Sequence, residues 1–400
     1  MNRADFADEF PGRLVRTSVI EQLSSGPETT ECDAYIPASL PPLFSITPQI
    51  VRKLSAADRA LGELSGLTKT IQNPLLLIQP FLRREAVLSS RIEGTRTTLE
   101  ELYAFEEQIP LFQEDDDRSR QDAQEVLNYV RALQFGRRVA HTQPLGLPVM
   151  RELHKTLLRG VRGESAVPGE FRTIQNHIGE PGSRIVDARF VPPPPLEVEP
   201  LLRDLHAYIS KTDDDWPPLA RLAWIHYHFE AIHPFRDGNG RIGRLLVVLL
   251  LESWGLLPEP LLYLSAYFER KKQEYYNHLL AVSLRGSWHE WLSFFLDAVE
   301  TQALDAIQRG KQLQMLRQEW ENQLKANRAS ASAVRLMAEL FVTPVLTVTR
   351  AQQAAGLDSY RGARITLDRL LKLGLVREGG RQKRPKVYVA QKILDICSGP

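Results

Sequence analysis

One dodecapeptide constrains this chain more than any other stretch: His233-Pro234-Phe235-Arg236-Asp237-Gly238-Asn239-Gly240-Arg241-Ile242-Gly243-Arg244. It lies between two apolar segments of helical period, Leu219 to Ala231 and Arg241 to Trp254. The chain must therefore leave one helix, turn through Gly-Asn-Gly and enter another. Amides at the start of a helix after such a turn form an anion nest with a favourable dipole. Glycine lets the backbone approach a phosphate closely. Arg241 and Arg244 are three apart on one helical face, within reach of one polyphosphate. Asp237 beside that nest would repel phosphates unless a cation lay between them, and Mg²⁺ held by one carboxylate plus phosphate oxygens is the usual solution. His233 has the ordinary pKa suited to accepting a hydroxyl proton near neutrality. Together these residues imply attack by a hydroxyl on a magnesium-bound nucleotide phosphate.

Other chemistries fit less well. A Gly-Asn-Gly turn taken alone is more often only a turn. In an EF-hand reading Arg241 stands where the third ligand belongs and Ile242 where the turn glycine belongs, so that reading fails. His226, His228 and His233 suggest zinc, but there is no HExxH, and His226 and His228 fall on different faces of one helix. No Walker A sequence occurs, so the phosphate site is not a P-loop.

The bulk sequence adds few constraints. Lys plus Arg number 50 and Asp plus Glu 49 in 400 residues, so no global charge marks a nucleic-acid or membrane partner. Cys32 and Cys397 stand at opposite ends, which fits a reducing cytoplasm and offers no disulfide scaffold. Met1 to Leu14 lacks the apolar core of a signal peptide. The longest apolar run, Leu245 to Leu251, is far short of the roughly 20 residues of a membrane helix. A soluble, cytoplasmic protein without membrane contact is expected.

Residues 1 to about 45, rich in Pro, Ser and acidic groups, read as an irregular leader. Helical period runs from Thr47 to about Gln108 and resumes after a charged break containing Asp115, Asp116 and Asp117. Between 168 and 191, Gly169, Gly179, Pro181 and Gly182 punctuate two short segments, Phe171 to Ile178 and Arg184 to Val191, which predict a β-hairpin. Helical signals return from Leu196 and continue to about Asn327. The last 70 residues read as a helix-turn-helix followed by a wing. Ala331 to Phe341, Thr349 to Ala355 and Ser359 to Leu373 are its helices, and the strand Val387 to Ala390 closes it.

The dodecapeptide matches the HxFx(D/E)GNGRxxR motif of Fic-domain adenylyltransferases at every specified position. The resemblance implies that His233 deprotonates a hydroxyl of a target protein and that Asp237 holds Mg²⁺. It implies an anion hole of Gly238, Asn239 and Gly240 within a nucleotide-binding stretch that runs on through Ile242 and Gly243. Arg241 and Arg244 bind the β- and γ-phosphates of ATP; AMP stays on the target and pyrophosphate leaves. Pro168 to Arg172, leading into Thr173 to Gly179, resembles the family's flap, whose open edge aligns the target by strand addition. Asn176, His177 and Ile178 on the flap, with Tyr275 and Tyr276 beside the adenine, complete the implied ATP site. Pro260 to Tyr267 and Trp288 to Phe295 resemble the family's closing helices. Gly240 speaks against the kinase variants of the family. Relatives often pair, which leaves a homodimer open.

Upstream, Ser89-Ser90-Arg91-Ile92-Glu93-Gly94 matches the inhibitory (S/T)xxxE(G/N) motif of Fic proteins that carry their own regulator, which assigns Ser89, Glu93 and Gly94 to a brake. Arg244 can pair with a carboxylate or a γ-phosphate, not readily with both. Ser90-x-x-Glu93 also spells a capping box. However, the helical pattern runs into Glu93 from Leu75, Gly94 suits a helix end, and Thr97 or Thr98 suits the next start.

From Ser330 on, 12 Lys plus Arg face 5 Asp plus Glu, with Arg361, Arg364 and Arg369 on the presumed recognition helix and Arg381, Lys383, Arg384 and Lys386 in the wing. DNA and a protein partner both fit such a unit. The expected fold is mostly α: a Fic-type helical core with a small β-hairpin flap, plus a C-terminal winged helix-turn-helix. The expected domains are 1–115 with the inhibitory motif at 89–94, 116–310 with the flap at 169–191 and the motif at 233–244, and 330–400. Protein adenylylation is the leading function. Removal of AMP at the same site, and a DNA-binding regulator that senses nucleotide, are the alternatives.

Overall fold

Helix starts in this chain are written in prolines and small hydroxyl residues. Pro48, Pro195 and Pro218 each open a helix, where a missing amide costs nothing. Thr98, Ser330, Thr347 and Ser359 each cap one by accepting from the amide three residues on. The computed structural model describes residues 3–23, 26–70, 75–109, 117–161, 167–180, 182–212, 214–379 and 386–399. In chain order it has β1 (Gly12–Leu23), β2 (Gly26–Pro37), α1 (Pro48–Thr70), α2 (Leu75–Ile92), α3 (Leu99–Glu106), α4 (Asp117–Ala140) and α5 (Leu147–Leu157). Then come α6 (Pro195–Ile209), α7 (Pro218–Ile232), α8 (Asn239–Ser253), α9 (Ser265–Arg270), α10 (Lys272–Arg285) and α11 (Trp288–Ala326). The chain ends with α12 (Ala331–Leu340), β3 (Val345–Thr347), α13 (Val348–Ala355), α14 (Tyr360–Lys372), β4 (Arg377–Gly379), β5 (Val387–Val389) and α15 (Gln391–Ser398). The fold is mostly helical, as its periodicity predicts. No helix among the described residues is long and apolar enough to cross a membrane.

The chain divides into two compact units. The first comprises residues 1–59, 131–255 and 267–300. Its centre is the pair α7 and α8, which are buried on nearly every side, as a helix apolar all round must be. Gly136 of α4 meets α8 so closely that a Cβ there would lie 2.5 Å from Leu249 Cδ1. Glu252 at the end of α8 is buried and accepts from Arg137 Nε at 3.0 Å.

Two expectations for this unit need correction. Residues 12–37 are not an irregular leader but an antiparallel hairpin, β1 pairing β2 from Gly12↔Pro37 to Leu23↔Gly26. Val15, Val19, Cys32 and Ala34 face one way at a period of two and pack on Ile185, Ala188 and Val191. The expected hairpin at 169–191 is reduced to a single bridge, Ile178↔Phe190, followed by a 3₁₀ turn at Ile185–Asp187. Side chains replace the ladder there: Gln175 Nε2 donates to Pro192 O at 2.8 Å and Asn176 Nδ2 to Phe235 O at 3.0 Å. The edge at Val191 is taken by Tyr35, whose amide donates to its carbonyl at 2.9 Å. We call residues 167–191 the strap; Pro181, one of the predicted turn residues, lies outside the described residues.

The second unit comprises residues 60–130, 256–266 and 301–400. α2 ends at Ile92, Gly94 takes φ +103° behind it, and α3 begins at Thr98 with a reciprocal capping box to Glu101. Ser90 and Glu93 therefore form no capping box. Within the unit, Glu85 of α2 accepts from the hydroxyls of Tyr129 and Ser265, the former at 3.1 Å. The C-terminal residues share this unit with α2 and α3. Arg377 of β4 makes two bonds to the Glu100 carboxylate of α3, at 3.0 and 2.9 Å, and Arg350 lies 3.7 Å from Glu107. α12, α13 and α14 pack together, and β3, β5 and β4 form an antiparallel sheet in that order. Arg381, Lys383 and Arg384 of the expected wing, like Asp115 and Asp116 of the charged break, fall outside the described residues.

Two glycines within helices give opposite expectations. Gly136→Ala overpacks the contact with Leu249 and is expected to cost about 1–3 kcal/mol. Gly62→Ala on α1, with nothing within 4 Å of the added methyl, is expected to stabilise by about 0.5–1 kcal/mol. Urea unfolding of the two variants against the wild-type chain measures both signs.

Candidate active site

α7 ends at Ile232 because His233 takes the left-handed conformation, φ 49° and ψ 60°. For a residue with a Cβ this costs about 1–2 kcal/mol, so something must hold it. Arg172 of the strap does. Its Nε donates to His233 O at 2.9 Å, its Nη2 to Ile232 O at 3.3 Å and to Pro193 O, and its own amide to Pro234 O at 2.9 Å. A cation on the last carbonyls of a helix also meets the negative end of its dipole. Burial lowers the Arg172 guanidinium to about 10, still far above neutrality.

The start of α8 is fixed by Asn239. Its Oδ1 accepts from Phe235 N at 2.8 Å and its Nδ2 donates to Phe235 O at 2.9 Å, closing a ring across the loop. Gly238 sits at φ +76°, and its amide donates to Asp237 Oδ1 at 2.6 Å. An added Cβ at Gly238 would be 3.3 Å from Leu157 Cδ2. The first amides of α8 have no acceptor within the helix, which leaves an electropositive nest at Asn239, Gly240 and Arg241. Arg241 and Arg244 follow on α8, each only 3% exposed. The Asp237 side chain is 51% exposed and lies 3.8 Å from Arg241.

His154, missed in the sequence, binds the two halves of this site. It is fully buried and stacked on Phe235 with ring centroids 3.8 Å apart. Gly169 N donates to its Nδ1 at 2.8 Å, so the proton sits on Nε2, which donates to Asp237 O at 3.0 Å. Only the neutral ring can do both. Burial pushes His154 down to about 4, against the opposing pull of the Asp237 carbonyl. A lone histidine on an amphipathic helix gave no sign of this role, and Arg172 was legible only as part of the flap segment.

The sequence-derived site residues fall into three groups. His233, Asp237, Gly238, Asn239, Gly240, Arg241 and Arg244 lie together on the loop and the first turns of α8. Ile242 and Gly243 are placed for packing: Ile242 is fully buried with its amide on Gly238 O, and a Cβ on Gly243 would meet Glu230 Oε1 at 2.2 Å. The third group lies around the loop. Asn176 is bonded to Phe235 O, His177 Nε2 lies 3.4 Å from Ser183 Oγ, and Ile178 makes the strap bridge. Tyr275 is a correction: it is 1% exposed, its ring lies 4.5 Å from that of Phe268, and its hydroxyl meets His226 Nε2 at 2.8 Å. Such a ring has no open face for a base, whereas Tyr276 is half-buried.

His226 and His228 are core residues, held down to about 3 and about 4 by burial, with the Arg244 charge adding to the effect at His226. Among the described residues no group of three or more His, Cys, Asp or Glu could hold a metal ion. A single exposed carboxylate beside an amide nest fits Mg²⁺, whose other ligands are phosphate oxygens and water. Ser89, Glu93 and Gly94, which the sequence motif singled out, belong to the second unit. Ser89 is fully buried in the last turns of α2, while Glu93 and Gly94 are exposed just beyond its end.

With this geometry in place, likenesses to known proteins acquire a structural meaning. Residues 51–138 match the Fic/DOC family N-terminal region and residues 144–251 the Fic/DOC family domain. Two successive regions of the chain are thus similar to the Fic/DOC family, and the second of them contains the loop from His233 to Arg244. It is 29% identical over 150 residues to the protein adenylyltransferase Fic of Drosophila grimshawi, a match that spans 37% of this chain and 27% of that protein. It thus aligns with about a quarter of the length of such relatives. The crystal structure of a Fic family protein from Desulfovibrio desulfuricans has a TM-score of 0.56 at 21% identity, covering 87% of this chain and 98% of that one. A Fic domain containing signaling protein from Bacteroides thetaiotaomicron has a TM-score of 0.51 over 63% of this chain and 97% of that one. At such identity these structures speak to the fold.

The three buried imidazoles make stability depend on acid. Each is neutral when folded, with its pKa lowered from 6.5 to about 4, 3 and 4 for His154, His226 and His228. The unfolded chain takes up those protons below pH 6.5 and the folded chain does not until near 4, so stability is full above 6.5 and lost as pH falls towards 4. For His154 the loss is on the order of 3 kcal/mol. Urea midpoints at pH 7, 6, 5 and 4 are expected to fall, and the fall is expected to be smaller in His228→Gln.

Proposed function

We propose that this protein transfers AMP from ATP to a hydroxyl side chain of a target protein. The observation that carries this reading is one loop that joins His233, at the left-handed end of α7, to an amide nest and two cations at the start of α8. In the proposed reaction the target hydroxyl oxygen attacks the α-phosphorus, the bond to the bridging oxygen of the β-phosphate breaks, and pyrophosphate leaves. His233 takes the hydroxyl proton. The amides of Asn239, Gly240 and Arg241 receive the developing negative charge. Arg241 and Arg244 hold the β- and γ-phosphates, and Asp237 would hold Mg²⁺, which supplies charge neutralisation between the phosphates when bound. Asn176 Oδ1 is buried without a hydrogen-bond partner among the described residues and is suited to accept from the nucleotide. Tyr276 replaces Tyr275 as the ring beside the base. In this reading the target segment lies along the strap at Thr173 to Gly179, where Ile174 and Ile178 leave apolar surface exposed, 51% and 37%.

The same reading includes a restraint. Glu93, exposed beyond α2, offers Arg244 a carboxylate in place of a γ-phosphate. ATP then binds with its α-phosphate displaced, and a displacement of about 1 Å costs on the order of 100-fold in rate. Incubation with α-labelled ATP and candidate protein targets tests both parts. Glu93→Gly is expected to raise AMP incorporation on the order of 100-fold, and His233→Ala in that background to remove it by about 10²–10⁴-fold. Incorporation unchanged in both variants overturns the assignment. Incorporation lost in His233→Ala but unmoved by Glu93→Gly overturns the restraint alone.

A further inference from the structure

We propose that the outward face of α14 binds duplex DNA, as the major-groove helix of a winged helix-turn-helix. The C-terminal residues from Ser330 carry a net charge of +7, from 12 Lys plus Arg and 5 Asp plus Glu. Net charge alone says little, because the structure uses many of these cations internally. Arg335 Nε donates to Ala355 O at 2.9 Å, Arg350 pairs with Glu339 at 3.3 Å, and Arg369 donates to Arg328 O at 3.1 Å. Arg377 is bound to Glu100, Lys386 to Glu378 at 2.7 Å, and Lys392 to Glu319 at 3.2 Å.

Among the described residues from Ser330 on, the exposed cations that remain outside these contacts lie on α14. Arg361, Arg364 and Ile365, three and four residues apart, and Lys372, two turns beyond Ile365, are all exposed on α14. Ala363, Thr366, Leu367 and Leu370 cover its other side and are buried. The single acid on the outer stripe, Asp368, accepts from Tyr388 at 2.7 Å and lies 3.8 Å from Arg364. Two large apolar side chains stand exposed among the cations, Tyr360 at 51% and Ile365 at 60%. Apolar side chains in such a position suit contact with thymine methyl groups.

The supporting geometry is a turn of two capped helices. α13 starts at Thr347 and ends at Gly356 in the left-handed conformation, and α14 starts at Ser359. Thr349 and Gln353 on α13 are exposed and offer donors to phosphates. A helix of this length, about 20 Å, fits a groove about 12 Å wide. Charge complementarity selects duplex nucleic acid over a protein surface as the occupant.

Fluorescence anisotropy of the full chain with a labelled duplex of about 20 base pairs tests this. Binding is expected at 50 mM salt and is expected to weaken steeply by about 200 mM. Arg361→Ala with Arg364→Ala is expected to weaken binding about tenfold or more at the lower salt and to reduce the salt slope by about two. Lys392→Ala is expected to bind as the wild type does. Far-UV circular dichroism and the thermal midpoint of each variant check that the fold is kept. Absence of duplex binding at low salt overturns the proposal, as does an unchanged salt slope in the double arginine variant. Self-association that is lost in Ile365→Ser, without duplex binding, overturns it in favour of a protein contact.

Discussion

The site depends on an imidazole that has to stay neutral. His154 accepts from Gly169 on the strap and donates to Asp237 in the loop, and a second proton on the ring would break the first of these bonds. Stacking on Phe235 and complete burial exclude the water that would make that second proton cheap. Arg172 adds three carbonyls of the same neighbourhood to the tie. Strap and loop therefore move as one piece within the first unit. A segment docked on the strap would be held in register with His233, which a separately hinged flap could not ensure.

The arginine arrangement recurs throughout the chain. Arg221 donates to Tyr208 O at 2.9 Å and Lys211 O at 3.0 Å beyond α6, Arg172 serves α7, and Arg369 serves the end of α11. Arg335 serves α13 and Arg309 donates to Ile396 O of α15. In each case a guanidinium from elsewhere in the same unit donates to carbonyls at or just beyond a helix end. These contacts join distant segments, and they use up cations that composition would assign to partners. The balance of 50 basic and 49 acidic residues thus conceals a wide difference between structural charges and those that face outward.

How much of this was legible in the sequence depended on the range of the interactions. The helices α7 and α8, the turn between them and the grouping of His233 with Arg241 and Arg244 follow from local period and turn chemistry. So do the end of α2 before Gly94 and the start of α3 at Thr98. The hairpin β1–β2 was hidden because its inward face is built of small residues such as Cys32 and Ala34. Their partners, Ile185 and Ala188, lie about 150 positions away. The strap misled because Gln175 and Asn176 use side chains where a hairpin would use its ladder. Tyr275 looked like a ligand contact because nothing local shows that Phe268 and His226 already cover it. The membership of 330–400 in a unit with α2 and α3 rests on pairs such as Arg377 with Glu100, 277 residues apart.

Arg241 and Arg244, each 3% exposed on one face of α8, place two positive charges where water screens them little. The Arg244 charge helps keep His226 unprotonated, so the protein does not add a third. Such a region favours a bound anion, because charge is screened little there. Phosphate and carboxylate are then substitutes rather than additions. Relief of the proposed restraint would be an exchange of one anion for another, in which the entering γ-phosphate displaces the Glu93 carboxylate. Competition of that kind is graded by ATP and by whatever stabilises α2 and the residues after it. In the second unit those residues share their packing with α15 and their ion pairs with β4. The C-terminal segment thereby shares contacts with the helices on either side of residues 89–94.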